Sequence, residues 1–349
     1  MSSDPVTSET GADIRTVAVV GSGYMGGGIA QVLALSGRDV VLSDVDAAKA
    51  EAARVRLLDE ARRFVKTGLF DPGSVELLEQ RLRAADSIES AVADVDYVTE
   101  AVFEDRQVKA GALRRISRAA RADTVIGTNT SAIPIGELAE SVERPERFLG
   151  VHWMNPAPFV PAIELIATPH TSEDAIARVE ALVTEAGKVP ARIADSPGFV
   201  ANRLQFALYK EAVRMVDEGL ATPSQIDTVV SNAFGFRLAL FGPFAIGDMA
   251  GLDVYAASYE SLAAEYGERL AAPERLRKTV EEGNLGIKSG RGFLDIPSED
   301  VPALLAYRDA AYRRLSVLRR ELGAAPGLDA AAQKEDAAQK ESAEKETGQ

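Results

Sequence analysis

The chain has 349 residues and a formal net charge of −14, with a pI near 4.8, so its field opposes nucleic acid and anionic membrane surfaces as partners. It has no cysteine and two histidines, which excludes disulfides, thiolate catalysis and cysteine-ligated zinc and argues against any metal site. Domains run roughly 100–200 residues, so two folded domains plus tails is the expectation, and an apolar share of 46% suffices for a core.

Residues 1–12 are small and polar, interrupted by Pro5 and Gly11, and read as a disordered tail. The start, MSSDPVTSETGAD, lacks both the apolar core of a secretory signal and the basic character of a transit peptide. No apolar run approaches the ~20 residues of a membrane span, and a cytoplasmic protein is expected.

Thr16 to Val20 is a β-branched run predicting a strand, followed by Gly21-Ser22-Gly23-Tyr24-Met25-Gly26 and a helical pattern that ends at Gly37. Val40 to Ser43 predicts a second strand, closed by Asp44 twenty-one positions after Gly23. A GxGxxG also arises in ordinary glycine turns. Between a strand and a helix, with an acid closing the next strand, it reads as a dinucleotide site. Gly21 permits the tight turn, Gly23 lets a pyrophosphate approach the backbone, and Gly26 lets the helix pack on the strand. Asp44 would accept from the ribose hydroxyls and repel a 2′-phosphate, which favours NAD over NADP.

Ala47 to Phe70 predicts a helix carrying Arg54, Arg56, Arg62, Arg63 and Lys66. This is either a solvated face paired with Glu51, Asp59 and Glu60 or a docking rim for an anionic substrate handle. A helix over Pro72–Arg83, a short strand over Arg83–Ser87, a strand over Tyr97–Ala101, a helix over Lys109–Ala120 and a strand over Thr124–Gly127 follow. The last empties into Thr128-Asn129-Thr130-Ser131, a polar loop at a strand's carboxyl end, where open α/β sheets bind ligands.

Phe148 to Met154 and Ile163 to Ala167 predict two strands joined by a loop that holds Asn155, Pro156, Pro158 and Pro161. They carry His152 and Glu164, twelve residues apart. A carboxylate on one imidazole nitrogen fixes the tautomer and leaves the other nitrogen to take a proton; the competing reading is a buried strand histidine satisfied by a backbone carbonyl. The other histidine, His170, reads as an exposed loop residue. A helix over residues 172–188 and a strand over Val189–Ile193 complete an expected α/β domain over 13–195.

Asp195-Ser196-Pro197-Gly198-Phe199-Val200 marks the boundary of an all-α domain over 196–323. There, Asn202 to Asp217 has Leu204, Ala207, Leu208, Ala212, Met215 and Val216 on one side and predicts a long buried helix. A short helix and glycine break over Phe241–Asp253, a helix over Val254–Tyr266, the loop GIKSGRGF from Gly286 and a charged helix after Pro302 follow. Residues 324–349 repeat AAQKE and read as a solvated, low-complexity tail.

From Thr16 to Phe293 these pieces resemble the L-3-hydroxyacyl-CoA dehydrogenase family. The dinucleotide turn is similar to GSGYMGGGIAQ, the cofactor-side strand end to EAVFED with Glu104 and Lys109, and the substrate loop to NTSAI with Ser131. The dyad matches His152 and Glu164 in HWMNPAPFVPAIELI, and DxPGFxxNR matches DSPGFVANR, with Asn202 at the substrate-binding position. The resemblance implies a Rossmann-type NAD domain, an all-α substrate and dimerisation domain, and reversible oxidation of a 3-hydroxyacyl-CoA by a homodimer. It also implies that His152 removes the hydroxyl proton, Glu164 orients its ring, Ser131 and Asn202 hold the reacting oxygen, and Tyr24, Met25, Asn155 and Lys288 join the cofactor contacts. Trp153-Met154 and Ala132 depart from the family's usual aromatic and serine residues, and the basic helix does not clearly match its CoA-contacting lysines. Three alternatives therefore accompany the thioester: a free hydroxy acid of gulonate or carnitine type, a carrier-protein-bound hydroxyacyl group, and a non-catalytic nucleotide-binding relative of the lens-crystallin kind.

Overall fold

The structure is a computed structural model that describes residues 14–328. The tail expected at 1–12 lies outside the described residues, as does 329–349 of the tail expected at 324–349. The chain divides into two compact units, Met1–Ala207 and Leu208–Gln349.

The first unit is built on eight strands: β1 (Thr16–Val20), β2 (Asp39–Ser43), β3 (Leu82–Ala84), β4 (Tyr97–Glu100), β5 (Val125–Thr128), β6 (Phe148–Trp153), β7 (Ala162–Ala167) and β8 (Val189–Ala194). They form one sheet in the order β3-β2-β1-β4-β5-β6-β7-β8. Neighbours are parallel except β6 and β7, which are antiparallel. Seven helices accompany it: α1 (Tyr24–Leu35), α2 (Ala47–Lys66), α3 (Ser74–Arg81), α4 (Ile88–Val92), α5 (Arg106–Ala119), α6 (Ile135–Ala139) and α7 (Glu173–Glu185).

The alternation of side chains along a strand explains why β1 is apolar from Val17 to Val20. Val17 and Val19 join a layer with Leu33 of α1, Leu57 of α2, Leu78 of α3 and Val179 of α7. Ala18 and Val20 face the opposite layer, with Val92 of α4, Leu113 of α5 and Leu138 of α6. A strand buried on both faces leaves no position for a polar residue. The chain turns from β1 to β2 on one side and crosses to β4 on the other, so a crevice opens at the carboxyl ends of β1 and β4. At the opposite end, Asp96 joins the two strands: one oxygen accepts from the amides of Arg15 and Thr16 and from the Thr16 hydroxyl, the other from Arg121.

The remaining helices are α8 (Ala201–Asp217), within which the division of units falls, α9 (Pro223–Asn232), α10 (Phe234–Leu238), α11 (Pro243–Ala250), α12 (Leu252–Tyr266), α13 (Glu274–Glu281) and α14 (Val301–Leu322). Among its described residues the second unit has helices and an isolated bridge between Gly286 and Arg291. That element is held by the fully buried Asp248, whose carboxylate accepts from the amides of Phe293 and Leu294.

Two sequence expectations are corrected. The 201–217 helix forms, but none of its residues is buried; Leu204 is 57% and Leu208 43% exposed. Among the described residues its apolar stripe is left largely exposed. The short strand lies at Leu82–Ala84 rather than Arg83–Ser87, because Ser87 caps α4. The short helices α4, α6, α9, α10 and α13 are absent from the sequence reading, and segments of five to ten residues offer too few turns for the 3.6 period to register.

Candidate active site

The glycine turn sits at the carboxyl end of β1, and its three glycines serve different needs. Gly21 has φ 97°, and a Cβ there would lie 2.5 Å from the Ala101 carbonyl oxygen. A Cβ on Gly26 would lie 1.8 Å from the Gly21 oxygen, so α1 packs on the turn only with glycine at this place. Around Gly23 a Cβ would meet nothing within 4 Å. Its smallness therefore serves no packing in the protein and leaves open the space above the N-terminus of α1. No side chain caps that terminus, so its first amides face a potential anion.

Asp44 lies beside this space. One carboxylate oxygen accepts from the Ser22 amide and hydroxyl, the other from the Val45 amide. Burial pushes its pKa up, but the bonds from Ser22 and Val45 and the nearby Lys49 outweigh it and hold the carboxyl below its ordinary range. With Gly21, Gly23, Val45, Val102 and Phe103 it lines a cleft of about 640 Å³. A cradle that glycine keeps open, an uncapped helix terminus and an ionised acid fit a dinucleotide's pyrophosphate and ribose. Tyr24 is exposed, and Met25 is half-buried against the core.

The ends of β4 and β5 carry a second network. Lys109 is 1% exposed, and its ammonium donates to both Glu100 oxygens at 2.9 and 3.3 Å and to the Val102 carbonyl, with Glu104 at 3.3 Å. Its charge is thus engaged within the protein. Glu100, 0% exposed, also accepts from the Thr128 hydroxyl at 2.5 Å. Sequence reasoning missed Glu100, although a carboxylate ending the apolar run YVTE, with a lysine nine positions on, was an available signal. Glu104 accepts from the Thr130 hydroxyl and from the amides of Ser131 and Ala132, which fixes the loop that carries Ser131. Burial raises the Glu104 pKa, yet Thr130, Lys109 and the two amides bring it below the ordinary carboxylate value.

The β6–β7 register sets His152 directly opposite Glu164. The His152 Nδ1 to Glu164 Oε2 distance is 2.8 Å, and both side chains are buried. Glu164 Oε1 accepts from the amides of Val200 and Ala201, each at 2.9 Å, at the start of α8. Each carboxylate oxygen thus has its own task. With Nδ1 committed, Nε2 is the imidazole nitrogen left to exchange a proton. The ring lies 5.4 Å from that of Phe199, itself buried and at φ 49°.

Asn202 donates from Nδ2 to the Ser131 carbonyl at 3.0 Å, so the structure brings these two predicted residues together. The buried Asn129, which sequence reasoning placed only in a loop, accepts from the Trp153 amide and ties that loop to the strand of His152. Asn155 is exposed just after β6, and His170 is exposed in a turn. Lys288 belongs to the second unit, where its ammonium donates to both Asp253 oxygens at 2.7 and 2.9 Å.

On α2, Arg54 pairs with Glu51, Arg56 with Glu60, and Arg62 with Asp59 and Glu79. These follow the solvated-face reading and contribute little stability individually. Arg56 also donates to the Ser22 carbonyl of the glycine turn. Arg63 and Lys66 are exposed and make no ion pair among the described residues.

Comparison with known proteins bears on this geometry. Residues 16–196 match the family description "3-hydroxyacyl-CoA dehydrogenase, NAD binding domain", and residues 198–296 match "3-hydroxyacyl-CoA dehydrogenase, C-terminal domain". The chain is 38% identical over 311 residues to 5-formyl-3-hydroxy-2-methylpyridine 4-carboxylate 5-dehydrogenase of Mesorhizobium japonicum, covering 88% of this chain and 98% of that one. It is 36% identical over 284 residues to a probable 3-hydroxybutyryl-CoA dehydrogenase of Bacillus subtilis, covering 81% and 98%. A crystal structure of a 3-hydroxyacyl-CoA dehydrogenase from Archaeoglobus fulgidus superposes with a TM-score of 0.72 at 32% identity, covering 86% of this chain and 99% of that one. The chain therefore belongs to the 3-hydroxyacyl-CoA dehydrogenase family and is an NAD-dependent oxidoreductase of that type.

Proposed function

We propose that the chain reversibly oxidises the 3-hydroxyl of a 3-hydroxyacyl-CoA to the 3-oxo thioester. The observation that carries this reading is the buried His152–Glu164 pair, its carboxylate pinned from behind by two amides. Bound NAD supplies a nicotinamide that accepts the hydride from the carbinol carbon. His152 Nε2 takes the hydroxyl proton as the C–O bond becomes C=O, and Glu164 holds the ring and balances the imidazolium. Ser131, on a loop fixed by Glu104, and Asn202, at the start of α8, hold the oxygen on which charge changes. Asp44 receives the adenosine ribose, and the Gly23 opening receives the pyrophosphate. The name of the Bacillus relative and the exposed Arg63 and Lys66, without an ion pair among the described residues, support a thioester whose CoA carries phosphates.

A second reading, a free carboxylate in place of the thioester, is favoured by the Mesorhizobium relative, whose named substrate is a formyl-bearing pyridine carboxylate and whose match covers more of this chain. Initial-rate NADH oxidation with acetoacetyl-CoA, set beside NADPH and beside free acetoacetate, separates the two. Turnover confined to NADH and the thioester supports the first. Bound NADH without turnover on the thioester favours the second. The exposed Leu204 and Leu208, one turn apart on α8, support a homodimer; a monomer mass in sedimentation at micromolar concentration overturns that.

A further inference from the structure

Lys188 follows Gly187 in the turn between α7 and β8, far in sequence from the dyad, and is 6% exposed. It makes no ion pair among the described residues. Its ammonium donates to three carbonyls of one loop, Ala157 at 2.6 Å, Val160 at 2.9 Å and Pro158 at 3.4 Å, and lies 5.7 Å from the centre of the Trp153 ring. Burial lowers its pKa.

That loop joins the strand of His152 to the strand of Glu164. Pro156, Pro158 and Pro161 remove three amide donors from it, and the amides of Phe159 and Val160 both go to the Pro156 carbonyl. The Pro161 carbonyl accepts from the Val189 amide, but those of Ala157, Pro158 and Val160 receive no backbone donor among the described residues, and one ammonium with three donors meets that need. On its other side the loop rests on the dinucleotide helix: a Cβ on Gly28 would lie 3.1 Å from Pro158 Cδ and 3.3 Å from Ala157 Cβ. One cation thus fixes a segment that touches α1 and follows His152 and Asn155 in the chain.

We propose that Lys188 is a positioning residue for the reaction, holding the 155–161 loop so that the dyad strands keep their place relative to the dinucleotide helix. This rests on the dyad reading above. Lys188→Met keeps the apolar stem and deletes the donors; it is compared with the wild-type chain well below either unfolding midpoint. Trp153 is the single tryptophan, so its quenching by acrylamide reads the loop without turnover, while kcat and KM for acetoacetyl-CoA read the chemistry. The expected result is Trp153 quenching several-fold faster, and kcat lower by about 10–100-fold with KM within about threefold, as misplacement of reacting groups produces. Unchanged kcat and KM per folded molecule, even with a lower midpoint, overturn the proposal and leave Lys188 a stabiliser only. If the wild-type chain does not turn over the thioester, the substrate reading has failed on its own. NADH affinity then decides: weakening by threefold or more in Lys188→Met supports the positioning role, and unchanged affinity refutes it. If Lys188→Met does not fold, Lys188→Arg carries the same readouts, because its donors do not converge from one nitrogen.

Discussion

Glu164→Gln keeps the size of the side chain and changes one atom from acceptor to donor. The two oxygens of Glu164 face different partners: Oε1 receives the amides of Val200 and Ala201, and Oε2 receives His152 Nδ1. A carboxamide must turn its oxygen to the two amides, since an NH₂ there would set donor against donor. Its NH₂ then faces Nδ1 and makes that nitrogen an acceptor, which moves the ring proton to Nε2. The nitrogen that should take the substrate proton already holds one. Loss of a general base removes on the order of 10²–10⁴ in rate, so kcat for oxidation of 3-hydroxybutyryl-CoA, followed at 340 nm, should fall by that factor. The hydrogen bonds are conserved in number, so the unfolding midpoint and NADH affinity should stay near wild type. A kcat within threefold of wild type, in a variant that binds NADH normally, would refute both the tautomer argument and the role of His152.

Gly23→Val adds a side chain where a Cβ meets nothing within 4 Å and φ is an ordinary −63°, so the midpoint should hold while NADH affinity, by fluorescence titration, falls at least tenfold; unchanged affinity removes the pyrophosphate from this space. Asp96 is lowered from the ordinary 3.8 to about 2: burial opposes ionisation, but the Thr16 and Arg15 amides, the Thr16 hydroxyl and Arg121 outweigh it. A depressed carboxyl stabilises the fold above its unfolded pKa and loses that contribution as pH falls towards the folded value, here about 2 kcal/mol between roughly pH 5 and pH 2. Asp96→Asn should therefore be less stable than wild type in urea at pH 7, with the gap shrinking towards pH 2.5; a gap independent of pH shows that packing, not charge, is responsible.

The dinucleotide turn was legible because its requirements are local. Gly21 needs a positive φ, Gly26 must clear the Gly21 carbonyl one turn away, and Asp44 closes the next strand. The His152–Glu164 pair was legible for a related reason: both residues lie in one hairpin, so twelve positions and a proline-rich loop suffice to set them opposite each other. The sequence left open whether the basic helix was a solvated face, and three of its arginines do pair with nearby acids.

What only the tertiary structure decided depends on which strands become neighbours. Glu100 meets Thr128 because β4 pairs with β5, and Lys109 is drawn away from solvent by that same carboxylate. Asn129 reaches Trp153 across the β5–β6 pairing, and Glu164 finds the start of α8 thirty-six residues on. Lys188 meets its loop through the parallel pairing of β7 and β8. The stripe of α8 reads as buried in the sequence and is exposed in the chain. Amphipathic spacing determines that a helix has an apolar face, whereas what covers that face is set by partners that the spacing does not encode.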